Sequence, residues 1–121
     1  MHRYVEIVNW SAPLPRPVRA LYCDRFFCRL RGLMFRSRLA PDEGLLLVQP
    51  RESRLDASIH MFFVFTDLAV IWINSSGDVV DTALAHPWRP AYFPKQAAKY
   101  ILEISPDRFG EFKVGDKTKF E

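Results

Sequence analysis

Cysteine and histidine are scarce in this chain of 121 residues, and no apolar run is long. The longest, Ile59 to Ile73, falls short of the roughly 18 apolar residues a membrane helix needs, and Asp67 interrupts it. The chain is therefore read as having no membrane contact. No charged n-region with an apolar stretch behind it opens the sequence, so neither signal peptide nor lipidation motif is read there. The two cysteines, Cys23 and Cys28, form no CxxC pair, and a segment read as helical joins them. Two reduced thiols and a cytoplasmic location are the expectation. The three histidines, His2, His60 and His86, fall at no metal-ligand spacing, and no cysteine complements them; no metal and no cofactor are expected. Nucleophile-elbow, Walker and dinucleotide-binding glycine motifs are all missing.

What remains is an ordinary single domain, residues 1–121, with 49% hydrophobic and 26% charged residues. Its net charge of +3 is modest but uneven. Residues 1–55 carry ten arginines and five acids; residues 56–121 carry seven basic and nine acidic groups. An anion-facing surface would lie in the first half.

Tyr4 to Asn9 and Val18 to Cys23 read as strands, separated by a loop with Pro13, Pro15 and Pro17. One short helix is expected around residues 24–35, with Asp24 as N-cap, an apolar face of Phe26, Phe27, Leu30, Leu33 and Met34, and Gly32 near its end. Leu45 to Val48 is a buried strand. Ile59 to Phe65 is expected as a strand with Ile59, Met61, Phe63 and Phe65 on one face and His60, Phe62, Val64 and Thr66 on the other. Val70 to Ile73 is apolar throughout and should be covered on both faces. A turn at Asn74 to Asp78, a strand from Val79, a stiff loop at His86 to Pro90, a strand at Lys99 to Ile104 and a lysine-bearing edge strand at Lys117 to Phe120 follow. This is a mainly β pattern, expected as a compact sandwich or barrel of jelly-roll-like topology.

Arg25, Arg29, Arg31, Arg36 and Arg38 crowd the helical segment. Guanidinium groups grip phosphate or carboxylate through paired hydrogen bonds, although a solvated helix face explains the same run. His60, inside the apolar stretch, is either an acid–base group or a donor to a backbone carbonyl. Asp67 is a functional carboxylate if buried and a bend cap if solvated. Trp88 and Arg89 could stack on a base or sugar, or pack over the end of the sheet.

The ordered segments Arg31-Gly32-Leu33-Met34-Phe35-Arg36, Asp42 to Val48, Ser58-Ile59-His60 with Phe62-Phe63, Gly77 to Val80, Tyr100 to Glu103 and Val114 to Asp116 make a distinctive series. Together they resemble the bacterial and archaeal family known as domain of unknown function 192, over about Tyr4 to Phe120. The resemblance implies a compact, mainly β domain with a short helix holding the Arg-Gly-Leu-Met motif. It implies no activity. Relatives commonly carry arginine, proline and aspartate where this chain has Phe65, Asp67 and Ala69, so a charged site using those positions would be lost or rebuilt here. The matching candidates are Arg31, Gly32, Arg36 and His60.

The resulting expectation is a non-enzymatic domain binding a small anion or a protein partner through Arg31, Gly32, Arg36, His60, Trp88 and Arg89. A small hydrolase or lyase using His60 is the rival. A weak nucleic-acid binder using the Arg25–Arg38 cluster is disfavoured by the low net charge.

Overall fold

A computed structural model describes residues 3–121; His2 lies outside the described residues. The strands are β1 (Tyr4–Asn9), β2 (Val18–Cys23), β3 (Glu43–Ser53), β4 (Leu68–Ile73), β5 (Val79–Ala85), β6 (Ala98–Ile104) and β7 (Thr118–Phe120). One α-helix, α1 (Phe26–Arg31), follows β2, and a 3-10 helix at Pro106–Glu111 follows β6. The strands form one mixed sheet in the order β5-β4-β6-β3-β2-β1-β7, curled as a half-barrel, rather than the two facing sheets of a sandwich or jelly roll. β6 lies between β3 and β4 and joins what would otherwise be two separate sheets.

Among the described residues, only β2 and β3 pair in parallel. A parallel pair cannot be closed by a tight turn, so the chain crosses over the sheet between them, and α1 rides on that crossover. The sheet buries both faces. Alternate residues of β4 divide between two apolar clusters: Leu68, Val70 and Trp72 enter one, Ala69, Ile71 and Ile73 the other. This is why the strand is apolar at every position. The Trp72 indole N–H donates to the Ala57 carbonyl at 2.7 Å, so burial leaves it satisfied.

Residues 59–65 do not form the expected strand. Ile59 makes a single bridge to Tyr92, and the backbone then turns, with Phe63 at φ 60°. The amides of this segment pair outside any ladder: Met61 N–H donates to the Arg89 carbonyl at 2.9 Å, and Phe65 N–H to the Arg36 carbonyl at 3.0 Å. Ile59, Met61 and Val64 are buried, while Phe62, Phe63 and Phe65 reach the surface. A one-residue break in alternation thus sends the phenylalanines outward.

The helix is also shorter than expected. Arg25, not Asp24, is its N-cap and makes no side-chain cap bond. Gly32 ends it at φ 50°, a conformation that favours glycine, and donates its N–H to the Cys28 carbonyl at 3.0 Å. No residue of α1 is buried; Phe26, Phe27 and Leu30 are 63%, 78% and 52% exposed. The apolar face read from spacing therefore looks away from the core, and only Leu33, beyond the helix, enters it.

Cys23 and Cys28 form a disulfide, against the expectation of free thiols. β2 ends at Cys23, two residues turn the chain, and Cys28 falls in the first turn of α1, which brings the Cα atoms to 5.6 Å. The bond removes the ground on which a reducing compartment was expected. No helix among the described residues is long and apolar enough to cross a membrane.

Arg108 is buried and fully engaged. Its guanidinium donates to the carbonyls of Arg16, Pro17 and Pro41 and pairs with Glu111. It pins the proline-rich loop and the approach to β3 onto the 3-10 helix. At the far end of the sheet, the β4–β5 turn reaches β7. Gly77, at φ 89°, accepts from Thr118 N–H at 2.7 Å, and a Cβ there would come within 2.5 Å of the Thr118 carbonyl oxygen. Asp78 bridges Lys117 through the backbone and through a 3.1 Å ion pair.

Candidate functional site

The strand register sets one acid among apolar neighbours. Leu21, Leu45, Glu103, Val70 and Ala83 lie side by side across β2, β3, β6, β4 and β5. Leu45 and Val70 belong to the apolar cluster on the α1 side, with Leu21 and Ala83 packed against it. Glu103 occupies the middle of that row, 4% exposed, and its Oε1 has no hydrogen-bond partner. Burial pushes its carboxyl from the ordinary 4.5 up to about 7. An unpartnered buried carboxyl is costly for a fold that gains nothing from it.

Glu103 lines a cavity of about 330 Å³ beneath α1. The end of the helix supplies Arg29, Arg31 and Gly32, β3 supplies Leu47 and Gln49, and the following loop supplies Ser58 and His60. Arg29 donates to the carbonyls of Asp24 and Val48, tying α1 to β3. Arg31 is exposed at the rim and enters no ion pair among the described residues.

His60 is committed to structure. Phe62 N–H donates to its Nδ1 at 3.2 Å, so that nitrogen is the acceptor. Nε2 then carries the hydrogen and donates to the Leu30 carbonyl at 3.3 Å. Both ring nitrogens are used, and the ring fastens the 59–65 segment to the end of α1. Asp67 sits at a solvated bend, as the simpler reading has it, with Oδ1 3.1 Å from Nδ1 of His86.

Of the six site residues expected from sequence, Arg31, Gly32 and His60 come together around this cavity. Arg36 does not. It pairs with Glu43 at 2.7 Å and donates to the Arg38 carbonyl, clasping the segment before β3. Trp88 and Arg89 also lie apart from it. Trp88 packs edge-on against Phe63 with centroids 5.0 Å apart and beside Phe65 at 6.0 Å; Arg89 lies 5.4 Å over Tyr92. Ala69 is buried in β4 among apolar side chains. Glu103 is the residue that sequence reasoning passed over. Its signal was an acid sharing a strand face with Ile101 and flanked by Leu102 and Ile104.

Beside the cavity runs an apolar groove of about 560 Å³. Phe27, Leu30, Met34, Phe62 and Phe63 form it, with Arg31 and His60 at the end nearest the cavity. Among the described residues no three metal-ligating side chains gather at any point.

Comparison with known proteins places these features in a family. Residues 9–120 match the profile of DUF192, described as an uncharacterized ACR, COG1430. A UPF0127 protein of Pyrococcus horikoshii is 40% identical over 117 residues, covering 94% of this chain and 97% of that protein. One from Thermococcus sibiricus is 41% identical over 105 residues, 85% of this chain and 66% of the relative. The chain spans 50% of a UPF0127 relative from Thermococcus gammatolerans. Two solved structures share the fold. One, a proposed transcription regulator from Sinorhizobium meliloti, has a TM-score of 0.82 at 21% identity, covering 99% of this chain and 94% of that one. The other, of unknown function, is from Novosphingobium aromaticivorans, with 0.81 at 23% identity, covering 98% and 84%. Such identities speak for the fold alone. The family match and the relatives agree with the motif series, and the chain belongs to the DUF192 (UPF0127) family.

Proposed function

We propose that this domain is a binding module for a small carboxylate-bearing ligand, held in the cavity beneath α1. The observation that carries the reading is the buried carboxyl of Glu103, its Oε1 unpartnered, in the lining of a cavity rimmed by Arg31. A protonated carboxyl donates one strong hydrogen bond, and a ligand carboxylate accepts it. Two carboxyl groups sharing one proton satisfy both where two ionised groups would repel. Arg31 at the rim supplies the opposite charge. Gln49 and Ser58 add neutral hydrogen-bonding groups; Asp56, paired with Arg51, and Arg29 and His60, both held to backbone carbonyls, also line the cavity, and the remaining wall is apolar.

The commitment of both His60 nitrogens to backbone partners favours binding over catalysis, because a general base needs a free nitrogen facing its substrate. Isothermal titration with acetate, butanoate and inorganic phosphate at pH 6 tests the proposal. Saturable binding of the carboxylates is expected, weakened at least about tenfold by Arg31→Ala with the melting temperature unchanged. Absence of saturable binding by any of these anions, or affinities unaltered in Arg31→Ala and Glu103→Leu, would refute it.

A further inference from the structure

The polar cavity and the apolar groove are not separate features. Leu30, Arg31 and His60 line both, so a molecule leaving the cavity past Arg31 enters the groove directly. The groove walls offer almost no polar surface, and the residues that form them are the ones the core does not use. Phe27 and Leu30 project from α1 with 78% and 52% of their surface exposed, and Phe62 and Phe63 project from the irregular segment opposite. The irregular backbone there is what turns these rings outward: Phe63 is held at positive φ, and its carbonyl accepts from Phe35 N–H at 2.6 Å.

From this juxtaposition we infer that the ligand is a single-chain amphiphile, a carboxylate head with an unbranched apolar tail, bound from solution. The head seats between Glu103 and Arg31, and the tail lies between Leu30 and Phe62–Phe63. The inference rests on the carboxylate-binding reading of the cavity and adds the tail to it. Two observations select this occupant. The groove opens from the cavity, whereas a protein surface covering the phenylalanines would leave the Glu103 carboxyl unmatched. And the one charge at the junction, Arg31, complements an anionic head at the point where head and tail meet.

Calorimetry at pH 6 with butanoate, octanoate, decanoate and decanol, each below its aggregation concentration, tests this on the full chain. Affinity should rise about two- to fourfold for each methylene added, until the groove is filled. That gain should disappear in the Phe62→Ser/Phe63→Ser double variant, at exposed positions that line the groove and not the cavity, while butanoate binding persists. Decanol should bind at least tenfold more weakly than decanoate, and Arg31→Ala should close that gap. Butanoate binding with no gain from longer chains overturns the tail and leaves the carboxylate reading standing. Failure of every carboxylate removes both. Equal binding of decanol and decanoate, sedimentation with anionic phospholipid vesicles without decanoate binding, or self-association that buries the groove and excludes decanoate would each overturn the amphiphile.

Discussion

Gly32 stands over Glu103: a Cβ built on the glycine would lie 3.7 Å from the carboxyl Oε1. That distance is ordinary contact, so space does not demand glycine here; the backbone does, at φ 50° and ψ −127°. Gly32→Ala should therefore cost about 1–3 kcal/mol through strain. It should also shift the end of α1 and weaken anion binding. Chemical denaturation and titration of the same sample measure both effects.

Glu103 links stability to pH. Its carboxyl binds a proton more tightly in the folded chain, at about 7, than in the unfolded chain, near the ordinary 4.5. Between these values the folded state holds the proton and the unfolded state has lost it. Stability falls as pH rises through that window and levels off above about 7. The contribution is of order 3 kcal/mol. Denaturation of wild type and Glu103→Gln at pH 4.5, 6 and 8 should show the difference, with the variant lacking this component.

Ligand affinity should follow the same proton. A carboxylate ligand binds the protonated form, so affinity should be flat below about 7 and fall about tenfold per pH unit above it. Glu103→Gln, whose amide donates at any pH, should bind with that dependence removed. Titrations from pH 5.5 to 8.5 decide this.

Arg36 and Arg108 should behave oppositely. The Arg36–Glu43 pair is 45% and 42% exposed, and Arg36→Ala should cost less than about 1 kcal/mol and leave binding unaltered. Arg108→Met leaves the carbonyls of Arg16, Pro17 and Pro41 without their donor inside the fold and should cost about 3 kcal/mol. Urea denaturation of the two variants provides the comparison.

The Cys23–Cys28 bond predicts that the denatured, unreduced protein reacts with no thiol reagent. Two titratable thiols would show the bond absent. Reduction should lower the melting temperature, since the bond ties the start of α1 to β2.

The strands were readable where polarity punctuates the chain. Asn74 to Asp78 separates β4 from β5, the lysines around Thr118 mark β7 as an edge, and Gly32 marks the helix end. Residues 59–65 were misread because nearly every position is apolar, and alternation carries no information when both alternatives are hydrophobic. Their fold is decided by backbone bonds to 35–36 and 88–92, which no local pattern encodes. The helix was read correctly, but the direction of its apolar face was misread for a related reason: spacing identifies an apolar face but not whether the core lies beneath it. Arg31, Gly32 and His60 could be gathered from their shared motif series. Glu103 belongs to the same series but was not singled out, because an acid in a strand ordinarily faces solvent, and only the pairing of β6 between β3 and β4 takes it inside.

The meeting of Gly77 and Asp78 with Lys117 and Thr118 has a bearing on how this chain behaves in company. β5 and β7 are the outermost strands of the sheet, and unpaired strand borders are templates for stacking one molecule onto the next. Here the start of one border is latched to the start of the other, and Lys117 and Lys119 place charge along the shorter one. The half-barrel thereby shields its own margins. Opening that latch, as a bulky residue at Gly77 would do, should show itself first as aggregation on storage rather than as loss of ligand.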